Sequence, residues 1–124
     1  MLAVASRSVD RAEKFAAVHG IERAYGSYAE MMLDDDVDVL YIATPHPQHY
    51  LIALAAINAG KAILVEKTFT ATVAGAEKVI QTARQRQVFA MEAMWTRFQP
   101  AIVAARRLIE DCLLYTSPSP RDRS

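Results

Sequence analysis

Short apolar runs alternate with amphipathic stretches along the whole chain. Leu2-Ala3-Val4-Ala5-Ser6 has the length and composition of a strand. Val9, Ala12, Phe15, Ala16 and His19 then recur at helical spacing, with Ser8 placed to cap the helix and Gly20 to stop it. Ala24-Tyr25-Gly26 predicts a short strand, and Ser27 opens a brief helix from Tyr28 to Leu33. Asp34-Asp35-Asp36 is a solvated turn into a strand from Val37 to Ala43. Thr44-Pro45 ends that strand, because proline cannot donate to a central ladder. His46 to Ala59 reads as a helix closed by Gly60, and Ala62 to Glu66 as a short strand that will be buried. Thr72 to Gln87 is helical, with Val73, Ala76, Val79, Ile80 and Ala83 on one side. Val88 to Ala93 predicts a further strand, and Pro100 suits the first turn of a last helix through Ile109.

Strand and helix alternate throughout, which predicts an α/β fold with a doubly wound parallel sheet and right-handed crossovers. Composition agrees: 52% of the 124 residues are hydrophobic, enough for a core. The 14 acids balance the 14 bases, so neither a nucleic acid nor an anionic membrane is an expected partner. A single cysteine, Cys112, excludes an internal disulfide and a cysteine zinc cluster. No apolar run reaches membrane-spanning length, and Met1 to Ser6 lack a basic region and a long apolar stretch. A cytoplasmic location is the expectation.

Candidate chemistry gathers at the carboxyl ends of the expected strands, where open parallel sheets bind ligands. Ala62-Ile63-Leu64-Val65 runs straight into Glu66 and Lys67. A lysine there can hold a substrate hydroxyl and move its proton; the competing reading is a surface lysine that ends a strand. Ser6-Arg7-Ser8 follows the first run. In a dinucleotide-binding fold an acid at the end of the second strand accepts from the ribose 2′-hydroxyl of NAD, whereas arginine suits the 2′-phosphate of NADP. Arg7 therefore favours NADP over NAD, against the alternative of a solvated arginine near a helix start. Thr44-Pro45-His46-Pro47-Gln48-His49 follows another strand. Thr44 can donate to ribose or phosphate, Pro45 shapes the loop, and His46 and His49 are candidates for the nicotinamide pocket. No third metal ligand accompanies the two histidines, so no metal site is expected. After the last strand, Trp95 can wall a pocket and Arg97 can contact phosphate or a hydroxyl. The competing reading makes Trp95, Phe98 and Met94 plain core or interface residues, and for the aromatics taken alone it is the favoured one.

Taken in order, AVASRS, AYGSYAEM, DVDVLYIATPHPQH, NAGKAILVEK and FAMEAMWTRFQP resemble the N-terminal half of the Gfo/Idh/MocA oxidoreductase family, in the branch of dihydrodiol and NADP-dependent D-xylose dehydrogenases. The likeness covers about Leu2 to Glu110. It implies a Rossmann domain, NADP as cofactor, and hydride transfer to or from a sugar or trans-dihydrodiol carbon, in an intact protein that is a homo-oligomer. It implies that Lys67 is the lysine of the family's Glu-Lys-Pro motif, touching the reacting hydroxyl, with Glu66 before it. Ser6 and Arg7 match the adenosine-phosphate contact; Thr44, Pro45, His46 and His49 match the loop over the nicotinamide; Trp95 and Arg97 match the pocket segment after the sixth strand. The motif's proline is Thr68 here, which relaxes the backbone restraint around Lys67.

No G-x-G-x-x-G is formed by Gly20, Gly26, Gly60 and Gly75. The expectation is a truncated Rossmann domain over residues 1–111 that lacks the first strand and phosphate loop. A non-native or disordered tail is expected over residues 112–124, and the C-terminal substrate domain is expected to be missing from this stretch. Two rival functions remain: a non-enzymatic nucleotide-binding regulator of the same fold, which retention of Glu66-Lys67 disfavours, and a flavodoxin-like or receiver module, which would need an anion loop or acid cluster. A sheet without its central strand exposes two unpaired edges. The isolated chain is therefore expected to be weakly stable and aggregation-prone; a cooperative thermal transition of the monomer in a melting scan would contradict this.

Overall fold

The structure, a computed structural model, describes residues 1–111. The tail expected from residue 112 lies outside them. The chain divides into two compact units, Met1–Ala93 and a second beginning at Met94.

In the first unit, β1 (Ala3–Ala5), α1 (Val9–His19), β2 (Arg23–Tyr25), α2 (Tyr28–Met32), β3 (Val39–Ile42), α3 (His46–Asn58), β4 (Ala62–Val65), α4 (Val73–Arg86) and β5 (Ala90–Glu92) follow one another. Every pairing is parallel, as in a Rossmann-like α/β fold. The described strands form two sheets, one ordered β1-β2 and the other β3-β4-β5. β1 and β3 are both edge strands. In the second unit a 3-10 turn, Trp95–Phe98, precedes α5, Pro100–Glu110.

The local signals act as their chemistry demands. Gly20 takes a left-handed conformation (φ 63°), and its N–H donates to Ala16 O, ending α1. The Ser27 hydroxyl accepts from Ala29 N–H at 3.1 Å, and Thr72 Oγ1 accepts from Gly75 N–H at 3.0 Å, capping α2 and α4. Ser8 occupies the N-cap of α1 but makes no side-chain cap bond. α4 stops at Arg86 because Gln87 turns left-handed (φ 56°), a conformation usually left to glycine.

The core lies on one face of the three-stranded sheet. Leu40 and Ile42 of β3 and Ile63 and Val65 of β4 point into it by strand alternation. Met32, Ala53, Ala56, Ile57, Val79 and Ala83 close over them from α2, α3 and α4. Ile57, Ile63, Val65 and Val79 are fully buried; each such side chain contributes about 1.5–3 kcal/mol. β4 is thus the anchored strand. The apolar stripe of α4 is narrower than its sequence pattern: Val79 and Ala83 are buried, whereas Val73 in the first turn is exposed. Val39 and Tyr41, on the opposite face of β3, are more than half exposed.

Asp34 departs from the expected solvated turn, while Asp35 and Asp36 are exposed. Its carboxylate accepts from Arg23 Nη1 at 2.8 Å, from the Tyr25 hydroxyl at 2.7 Å and from Asp36 N–H at 3.1 Å. Lys61 Nζ donates to its carbonyl at 2.8 Å. An aspartate placed beside both a cation and a phenol at the edge of β2 is not solvated merely because it sits in an acidic run. The Arg23 and Tyr25 donors, in that order, hold its carboxyl down from 3.8 to about 2. A depressed carboxyl stabilises the fold above its unfolded value and loses that contribution as pH falls. Stability should therefore drop as pH falls from about 4 to about 2, and Asp34→Asn should remove that drop. Urea unfolding across this range tests it, and equal acid sensitivity in the two proteins would refute it.

Candidate functional site

The segment leaving β4 is held from three neighbouring elements. Parallel pairing continues one residue past the strand, with Glu66 N–H donating to Ile42 O at 2.9 Å. The Tyr41 hydroxyl on β3 donates to Glu66 Oε1, and Lys67 N–H donates to Glu66 Oε2 at 3.1 Å. The Thr68 carbonyl lies 2.7 Å from Nδ1 of His49 on α3. Phe69 N–H donates to Oε1 of Glu92 on β5 at 2.8 Å. The Lys67–Thr68 peptide is cis. Lys67 itself is exposed, and its ammonium makes no hydrogen bond or ion pair among the described residues. The backbone on either side of this lysine is fixed while its side chain is left available.

Glu66 is half-buried and engaged rather than free. The Tyr41 hydroxyl, then the Lys67 amide, hold its carboxyl below the usual carboxylate range, against an opposing push from desolvation. The same bond to Glu66, followed by desolvation, raises the Tyr41 phenol.

After β3, Thr44, Pro45 and His46 lead into α3. Thr44 Oγ1 is buried and has no hydrogen-bond partner among the described residues. A buried polar atom left unpaired costs about 1–3 kcal/mol, so such an atom calls for a ligand or another explanation. Pro45 and His46 are exposed. His49 is fully buried, with Nε2 2.6 Å from Thr44 O and Nδ1 on Thr68 O. His46 meets it edge-on, ring centroids 5.5 Å apart. Both nitrogens of His49 thus face main-chain oxygens, leaving neither for a metal or a bound ligand.

After β1, Ser6 N–H donates to Tyr25 O at 3.1 Å, continuing the β1–β2 ladder. Arg7 is exposed and makes no ion pair among the described residues. Ser8 does not cap α1 through its side chain, so three polar residues, Ser6, Arg7 and Ser8, follow one another after this strand. An NADP 2′-phosphate needs such a set, a guanidinium flanked by hydroxyls. Thr44 Oγ1 likewise suits a ribose or phosphate oxygen. The residues present fit a dinucleotide on these two observations. Trp95 and Arg97 lie in the 3-10 turn of the second unit, both exposed.

Two residues of the site, Tyr41 and Glu92, carried no role in the sequence reading. Tyr41 and Glu66 lie on the same sheet face by alternation, since Tyr41 pairs with Leu64 and Glu66 follows two residues later. Glu92 pairs in register with Val65, at the same end of the sheet. Alternation and strand register were the signals that could have found them.

The family profile described as "Oxidoreductase family, NAD-binding Rossmann fold" (GFO_IDH_MocA) matches residues 1–94. The chain belongs to that family. Among its curated relatives, trans-1,2-dihydrobenzene-1,2-diol dehydrogenase of Bos taurus is 47% identical over 109 residues, 88% of this chain and 32% of that protein. The enzyme of the same name from Oryctolagus cuniculus is 48% identical over 109 residues, again 88% of this chain and 33% of its own. The chain thus spans about a third of the length of these GFO_IDH_MocA relatives. Among solved structures, an NAD-binding oxidoreductase from Klebsiella pneumoniae superposes with a TM-score of 0.85 at 36% identity, over 90% of this chain and 30% of that one. A 3-ketoreductase from Actinomadura kijaniata, solved in complex with TDP-benzene and NADP, gives 0.81 at 30% identity, over 90% and 35%.

Within this family site, the Tyr41 bond can be removed without disturbing the core face of β3. Tyr41→Phe should raise the Glu66 carboxyl toward the ordinary carboxylate range. A carbon-13 titration of the glutamate side chains reads this directly, and an unmoved Glu66 midpoint would show that the hydroxyl is not what holds it.

Proposed function

We propose that this chain is the cofactor-binding part of an NADP-dependent oxidoreductase that transfers hydride between a sugar or trans-dihydrodiol carbon and the nicotinamide. The observation that carries the reading is the available Lys67 side chain on a backbone pinned through Glu66, Thr68 and Phe69. The support from relatives is the family itself, the diol dehydrogenases that match most of this chain, and the 3-ketoreductase solved with NADP.

When bound, the dinucleotide supplies the hydride acceptor or donor. Arg7, with Ser6, holds the adenosine 2′-phosphate, and Thr44 donates its unpartnered hydroxyl to a ribose or phosphate oxygen. Pro45 and His46 line the nicotinamide side, and Glu66 and His49 shape the pocket from behind. Lys67 touches the reacting oxygen and helps move its proton as the carbon changes oxidation state. A compact ammonium suits that task, since it donates in three directions without the planar constraint of a guanidinium. The same reading accounts for the divided sheet: one parallel strand, followed by a G-x-G-x-x-G turn, would join the free edges of β1 and β3 into a single doubly wound sheet.

The test uses the protein with both cofactor and substrate domains. Arg7→Ala should weaken NADP(H) binding by about tenfold or more while leaving NAD(H) unchanged, as read by fluorescence titration. Lys67→Met should lower kcat by roughly 10²–10⁴ with cofactor affinity retained. Equal binding of the two cofactors by the unaltered protein would remove the NADP assignment. Unchanged turnover in Lys67→Met would remove the catalytic one.

A further inference from the structure

One polar side chain is fully buried among the described residues, and the hydride-transfer reading does not use it directly. His49 is completely excluded from solvent, whereas the other buried residues of the described chain are hydrophobic. Its ring spans two loops. Nε2 stands 2.6 Å from the carbonyl of Thr44, in the segment after β3, and Nδ1 stands 2.7 Å from the carbonyl of Thr68, in the segment after β4.

Carbonyl oxygens only accept. A neutral imidazole carries one N–H and one bare lone pair, so in that form one of these close contacts would set lone pair against lone pair in a dry site. Two short contacts to two acceptors are satisfied together only when both ring nitrogens carry hydrogen. The groups around the ring are compatible with a positive charge. His46 meets it edge-on from the same helix, and the Glu66 carboxylate belongs to the segment that the ring holds.

The geometry points to His49 as a positioning residue: through a doubly protonated ring it ties the Thr44 and Thr68 carbonyls and so sets the backbone from which Lys67 projects. The contact has a particular consequence for Lys67. Tyr41 and Ile42 hold the chain immediately before the lysine, whereas His49 and Glu92 hold it immediately after. Without His49, the Thr68 carbonyl loses its only side-chain donor among the described residues, and the Thr44 carbonyl loses its tie to the same segment. One side chain therefore couples the position of Thr44, with its unpartnered hydroxyl, to that of Lys67. That the positioned lysine serves hydride transfer rests on the function proposed above; the ring contact itself does not.

The test is nitrogen-15 NMR of the 124-residue chain with labelled histidine, the His49 ring assigned by its loss in His49→Gln. At neutral pH both His49 ring nitrogens should resonate as protonated. A ring with one bare nitrogen overturns the proposal. In His49→Phe, which keeps an apolar ring in the core, the amides of Lys67 and Phe69 should exchange with solvent about tenfold faster or more. His49→Gln, which retains one donor, should recover part of that protection. Unchanged exchange in His49→Phe also overturns the proposal, and should that variant fail to fold, ring protonation in the unaltered chain decides alone. None of these readouts needs cofactor, so failure of NADP(H) to bind would count against the proposed function and leave His49 to be judged by its own signals.

Discussion

A chain that leaves the buried centre of a parallel sheet carries backbone groups that no ladder satisfies, and they must find partners before the chain reaches water. β4 faces this demand because it is the middle strand of three and delivers fully buried Ile63 and Val65 to the core. The demand is met from every side. β3 supplies the Ile42 carbonyl and the Tyr41 hydroxyl, α3 supplies His49, and β5 supplies Glu92. Four residues after the strand become as well determined as the strand itself. The exception is the Lys67 side chain, which makes no hydrogen bond or ion pair among the described residues.

That division of labour suits a site where one group must be accurately aimed and chemically available. Positioning is achieved by side chains that never need to touch a ligand, among them Tyr41, His49 and Glu92. Their polar atoms are matched to the protein. Thr44 Oγ1 is the contrast, a buried hydroxyl with no hydrogen-bond partner among the described residues, at the mouth of the adjacent loop. A separate polar cluster, Asp34 with Arg23, Tyr25 and Lys61, fastens the turn before β3 to the edge of β2. It is a structural joint, away from the strand ends that carry the candidate ligand contacts.

Element order and type could be read from residue pattern alone, because both depend on local chemistry. Gly20, Ser27 and Thr72 mark helix ends by mechanisms that need only neighbouring residues. The strand period placed Ile63 and Val65 inward, and the order of segments carried the family resemblance that the Rossmann oxidoreductase profile bears out. Lys67 stood out because an acid and a base directly follow an apolar run. Boundaries were less accessible: the strand expected over Val37–Ala43 is shorter at both ends, since ladder length depends on the partner strand. The 3-10 turn over Trp95–Phe98 had no periodic signature to reveal it.

The alternation of strand and helix, the helix caps and the candidate lysine follow from residues close together in sequence, so the amino-acid order is sufficient to specify them. The partners of Glu66 and Thr68 lie 25 and 19 positions away, and Asp34 meets Arg23 across 11. Such pairings come into being only when parallel register and helix packing bring distant segments together. Position relative to the strands marked Asp34 as a solvated acid and His49 as a polar residue near a strand end. Folding made the first a part of a cation–phenol network and the second a buried bridge between two carbonyls, because a side chain's chemistry is set by what surrounds it, and the surroundings come from remote parts of the chain.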